Sequence, residues 1–162
     1  MSKQAPFDTD TAHRWFGVEY NNAIFPLLEK AERTQEETER MIAMAYASLL
    51  HWSSYTKHTA ANRARGEYMI STANSYAGRK EAALHHARRC YEITYISKNE
   101  MADFDFSYAN MACARALALN GETDEAKKFY DACMKSAKEV KDAEDKKIVL
   151  SDMDSGPWYG LK

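Results

Sequence analysis

The chain has 162 residues, with 22 Lys and Arg against 24 Asp and Glu, for a formal net charge of -2. That length suits one domain whose core needs no disulfide or metal to hold it, and the near-neutral charge argues against nucleic acid or an anionic membrane as a partner. The 25 alanines, against only 9 Val and Ile together, make the composition helical, since Ala costs least in a helix and β-branched apolar residues are what strands favour.

Residues 1–10 read as an N-terminal extension without the apolar core of a secretory signal. The longest apolar-rich stretch, Ala43 to Leu50, is interrupted by Ser48 and falls well short of the about 18 residues of a membrane span. Cys90, Cys113 and Cys133, odd in number and widely spaced, read as reduced thiols of a cytoplasmic protein.

Thr9 to Thr11 supply capping residues for a first helix that runs to about Arg33, with Pro26 expected to bend or split it. Thr34 and Glu37 form a capping box for a second, whose buried stripe is Met41, Met44, Ala45, Ser48, Trp52 and Tyr55 and whose end falls near Lys57. A third runs from about Ala60 to Tyr76 and stops at Gly78. The fourth, from Arg79 to Lys98, turns Ala83, Ala87, Cys90 and Thr94 inward. A fifth runs from about Met101 to Leu119 and stops at Asn120-Gly121. Thr123 caps a sixth with Ala126, Phe129, Tyr130, Cys133 and Ala137 inward. A short seventh, about Ala143 to Met153, is followed by Gly156-Pro157 and the apolar residues Trp158, Tyr159 and Leu161.

Gly78 and Gly121 lie 43 residues apart; each is followed by an alanine five residues on, Ala83 and Ala126, and a cysteine twelve on, Cys90 and Cys133. Small residues there let two helices approach closely. This recurrence resembles the tetratricopeptide repeat, most clearly over Ala109 to Ala137, with Ala114 and Ala126 as small residues and Tyr130 as the large one. The period is longer than the family's, and the first pair, where Arg40 replaces the small residue, matches in turn position alone. The resemblance implies an all-α fold of three antiparallel helix hairpins stacked as a right-handed solenoid over residues 11–141, with residues 142–162 as a capping helix and tail. The whole chain, from His13-Arg14-Trp15-Phe16 to Gly156-Pro157-Trp158-Tyr159-Gly160, is also similar to a set of bacterial proteins of this fold, a likeness that carries no activity.

In that family the first helix of each pair lines a concave surface. Carried onto this chain, the frame gives Asn22, Phe25 and Glu29, then Arg65, Tyr68, Thr72 and Tyr76, then Tyr108, Met111, Arg115 and Leu119. Aromatic residues with two arginines are a composition typical of binding hot spots. The expected function is a cytoplasmic interaction or scaffold module binding a peptide or a folded protein there, with a homodimer through the apolar tail as a further association. The family's carboxylate clamp is not expected, because Tyr108 and Ala112 stand where basic residues belong. The alternative is a small-molecule- or metal-binding helical domain, even an enzyme, using His51, His58 or His86. No catalytic motif, metal-ligand spacing or cofactor signature accompanies those histidines, so no catalytic residue, metal or cofactor is expected. The three cysteines fall on inward faces and read as small core residues.

Overall fold

The computed structural model describes residues 5–162; the first four residues of the expected extension lie outside them. The described residues form eight α-helices and one 3₁₀ turn and no strand. Helix α1 spans Thr9–Asn22, α2 Phe25–Leu28, α3 Gln35–Ser54, α4 Ala60–Tyr76, α5 Lys80–Ile96, α6 Asp103–Asn120, α7 Thr123–Glu139 and α8 Ala143–Asp154. None is long and apolar enough to cross a membrane.

The caps explain most of these boundaries. Asp8, not one of Thr9 to Thr11, caps α1: its carboxylate accepts from the backbone of Asp10 and Thr11 and from the Thr11 hydroxyl. Helix α1 ends at Asn22, and Pro26 falls in the first turn of α2, where its missing N–H removes no helical bond. Beyond Leu28 the path is not helical as far as Arg33; instead the Arg33 guanidinium donates to the carbonyls of Leu27 and Lys30 at 2.9 and 2.8 Å and closes the turn. The Thr34–Glu37 capping box is present in both directions. Helix α3 stops at Ser54, short of Lys57, because Asp10 of α1 takes both the backbone N–H and the hydroxyl of Thr56.

The 43-residue recurrence extends to the hydrogen bonds. Asn62 caps the backbone of Thr59, and Asp105 caps that of Ala102 in the same way. At the other end of α4, Arg79 N–H donates to Asn74 C=O at 2.9 Å; after α6, Glu122 N–H donates to Leu117 C=O at 3.0 Å. Gly78 and Gly121 sit between these bonds at φ 71° and 85°, the left-handed conformation that closes such an end. Ala83 and Ala126 are both fully buried, as are Cys90 and Cys133 within 2%.

Two helices occupy the middle of the molecule. Residues 69–75 of α4 and 109–118 of α6 are buried without interruption. A helix covered on every side needs side chains small enough for several neighbours to approach, and these runs are rich in Ala, Ser, Thr and Asn. Helix α4 touches α3, α5 and α6, while α6 touches α4, α5, α7 and α8. Two of the buried polar side chains bond nearby carbonyls, Ser71 donating to Ala83 and Asn74 to Ile70, both at 2.9 Å, while the Ser75 hydroxyl has no partner among the described residues.

The C-terminal segment docks on its own chain. Trp158 is 4% exposed, its indole N–H donates to the Met153 carbonyl at 3.1 Å, and its ring meets Tyr130 edge-on. Val149 and Met153 of α8 join it against Met111, Ala114, Cys133 and Ala137.

Two outcomes follow for stability. Ala126→Phe should overpack the contact around Ala83 and Ala87 and lower the unfolding free energy by about 1–3 kcal/mol in chemical denaturation. Removing the chain from Gly156 onward should cost about 2–3 kcal/mol, mainly through the lost burial of Trp158; an unchanged denaturation midpoint would show that the tail does not cap the core.

Candidate ligand-binding cavity

A cavity of about 1100 Å³ opens between the end of α1, the α2 segment, α4, α6 and the C-terminal segment. Of the eleven concave-surface residues expected from the sequence, eight line it, among them Arg65, Tyr68, Thr72, Tyr76, Tyr108 and Arg115. Phe25 and Glu29 are the other two. Asn22 lies just outside, with Asn21 in its place, because α1 ends at that residue. Met111 is fully buried beneath, where its sulfur accepts the Tyr68 hydroxyl at 3.6 Å. Leu119 instead packs in the cluster around Ala83, Ala87 and Ala126.

The spacing of α4 and α6 builds the walls. Arg65, Tyr68, Thr72 and Tyr76 recur at helical intervals along one face of α4, and Tyr108 and Arg115 lie two turns apart on α6. Tyr68 and Tyr108 meet edge to face at 4.9 Å. Burial pushes the titration of both hydroxyls well above that of a free tyrosine; for Tyr108 the bond it donates to Asp152 at 2.7 Å adds to this. Both are neutral donors at any physiological pH.

The charged residues differ in how they are matched. Arg65 makes a two-pronged pair with Asp105 at 2.8 and 2.9 Å and lies over the Phe104 ring at 5.0 Å; hydrogen bonding to Asp105 raises its titration further. Arg115 has no carboxylate partner among the described residues. It is 3% exposed, donates from Nη2 to the carbonyls of Asp152 and Ser155 at 2.7 Å each, and stacks on Trp158 at 4.6 Å. Its Nε has no hydrogen-bond partner, nor does the hydroxyl of Thr94, which also lines the cavity.

The tail supplies the remaining wall through Ser155, Gly156, Pro157 and Tyr159. Gly156 has φ 79°, and a Cβ there would lie 2.2 Å from the Tyr76 hydroxyl oxygen and 3.2 Å from Arg115 Nη2. Only glycine allows the backbone this close to both. The Tyr159 hydroxyl donates to the Ser75 carbonyl and ties the tail to α4. Sequence reasoning had not placed Arg33, Phe104, Asp105, Asp152, Gly156 or Tyr159 at the site. The available signal was the Phe104–Tyr108 spacing, one turn apart, which puts two rings on one face.

The histidines lie apart from this cavity and have separate neighbours. His51 Nδ1 is 2.9 Å from His13 Nδ1 inside a cluster with Phe16 and Tyr20. His86 bridges Glu67 at 2.6 Å and Tyr46 at 2.8 Å. His58 bonds the backbone carbonyl of Tyr55. Among the described residues no three His, Cys, Asp or Glu side chains gather as a metal site. The cysteines are buried and unpaired. Burial pushes the Cys113 and Cys133 thiols up to about 12 and Cys90 upward as well, so all three stay protonated and are poor nucleophiles.

Compared with protein-family models, with curated proteins and with solved structures, the chain finds no match in any of the three.

The burial of His51 beside His13 makes stability depend on pH. Desolvation, and then the neighbouring His13, lower the His51 titration below its usual 6.5. Below pH about 6.5 the unfolded chain therefore takes up a proton that the folded one resists, and stability falls as pH falls. Melting temperature measured from pH 7.5 to 5 should drop, and His51→Gln should flatten that limb. An identical slope in the variant would assign the acid sensitivity elsewhere.

Proposed function

We propose that this protein is a binding or scaffold module, not an enzyme, and that it takes a peptide segment of a partner protein into the cavity between α4, α6 and the tail. The observation that carries the reading is the gathering of eight expected groove residues around one cavity, with aromatic walls, a matched Arg65–Asp105 pair and an unmatched Arg115. Buried aromatic surface with a few placed polar groups is what a ligand site needs.

The same reading makes the architecture a tetratricopeptide-like one: three antiparallel helix pairs, α1–α2 with α3, α4 with α5 and α6 with α7, stacked as a right-handed solenoid and closed by α8. The recurrence of caps, turn glycines and buried alanines at 43 residues supports it, as does the contact of α4 with α6, the first helices of successive pairs. A cytoplasmic setting is part of the proposal and rests on the three buried, unpaired thiols. No homodimer is needed to cover Trp158, which is buried in its own chain.

Selection of heptapeptides displayed on phage against the immobilised full chain tests the reading. Selected peptides should lose about tenfold or more in affinity for the Phe25→Ser, Tyr108→Ala double variant, which removes two cavity aromatics. They should keep their affinity for Leu50→Ser, which alters an exposed residue outside the cavity. Equal binding to both variants would place the peptide site elsewhere.

A further inference from the structure

Four cations line the cavity, Lys30, Arg33, Arg65 and Arg115, and two of them are paired with carboxylates. Lys30 pairs with Glu37, and Arg65 pairs with Asp105. Arg33 and Arg115 have no carboxylate partner among the described residues; each satisfies some of its donors with backbone carbonyls, which leaves its charge unneutralised. Tyr76 joins the two. The Arg33 guanidinium lies over its ring at 5.4 Å, and its hydroxyl sits beside Gly156 together with Arg115 Nη2.

Of the acids that line the same cavity, Glu29 is exposed at the rim. Asp152 accepts the Tyr108 hydroxyl through Oδ2 and makes no ion pair with either arginine. One end of the cavity is thus electropositive and carries hydroxyl and guanidinium donors. The other end is aromatic, with Tyr68, Phe104 and Tyr108, and its charges are matched as the Arg65–Asp105 pair beside Phe104. A guanidinium buried without a counter-ion is costly, and an anion that reaches it gains from the low local dielectric.

We propose that the cavity binds an oxyanion carried on an apolar or aromatic body, with the anionic group between Arg33, Tyr76 and Arg115 and the body against Tyr68, Phe104 and Tyr108. This rests on the cavity being the ligand site, and it names the chemistry recognised there. An acidic residue beside an aromatic one in a partner peptide has this chemistry, and so does a free aromatic acid.

The test uses a matched pair of probes, 2-naphthoate and its neutral isostere 2-naphthamide, titrated to millimolar concentration into the isotopically labelled full chain and followed by NMR. Naphthoate should shift the resonances of Thr72, Tyr76 and Tyr108 with about tenfold higher affinity than naphthamide, and added salt should narrow the gap. Arg33→Met should remove most of that preference. Arg115→Lys, which keeps the charge but not the planar fork, should weaken naphthoate more than naphthamide. Because Arg115 also holds the tail, the Arg33 variant decides if the Arg115 variant loosens it. Acetyl-Asp-Trp-amide compared with naphthoate separates the two sources: tighter binding of the dipeptide favours a peptide, and tighter binding of naphthoate favours a free acid. Equal affinity for naphthoate and naphthamide at the cavity would overturn the anion inference and leave the cavity as a ligand site. Failure of every probe to shift any cavity residue would overturn both.

Discussion

One buried guanidinium, that of Arg115, joins three parts of the chain, α6, the end of α8 and the tail. It arises from α6, binds the carbonyl of Asp152 near the end of α8 and that of Ser155 in the tail, and stacks on Trp158. Carrying a positive charge to 3% exposure without a carboxylate is unfavourable unless its donors are satisfied. The two carbonyls are the free acceptors at a helix C-terminus, where the backbone is short of partners and the helix dipole favours a cation. The arginine and the end of α8 therefore meet each other's needs.

The cavity depends on that junction and on the helices behind it. Helices α4 and α6 meet through Tyr68, which donates to Met111 and packs on Tyr108, and through the Arg65–Asp105 pair. Tyr68, Tyr76 and Tyr108 stand where the surface opens and become its walls. The tail then crosses to α4 through Tyr159 and Ser75, passing so close to Tyr76 that only Gly156 fits. The segment that covers the apolar end of the molecule thus also shapes the cavity.

The sequence showed the helices well, because each is announced by local chemistry. The Thr34–Glu37 box, the turn glycines at 78 and 121, and the inward row Ala83, Ala87, Cys90 and Thr94 depend on neighbours a few residues away. The errors at helix ends came from distant partners. Asp10 draws Thr56 out of α3 from 46 residues away, and Arg33 turns back on Leu27 instead of extending the helix. The same divide runs through the cavity. Residues at helical spacing on α4 and α6 could be read as a face. Asp105 as the partner of Arg65, Asp152 as the partner of Tyr108, and the tail as a wall could not, since those contacts span 40 residues or more. Arg115 was legible as a groove residue, but its burial was not: a repeat frame gives its direction and cannot foresee that α8 and the tail fold over it.

The most direct measurement of this account is hydrogen exchange at the indole N–H groups of the three tryptophans, followed by NMR in the full chain and in Arg115→Met. Trp15 is 55% exposed and serves as the internal reference, while Trp158 is 4% exposed with its N–H bonded to Met153. Exchange at Trp158 should be slow in the native protein and much faster in the variant, with Trp52 little changed. If Trp158 exchanges as fast as Trp15 in the native protein, the tail is not docked and the cavity lacks that wall; if Trp158 is equally protected in the variant, Arg115 does not hold the tail.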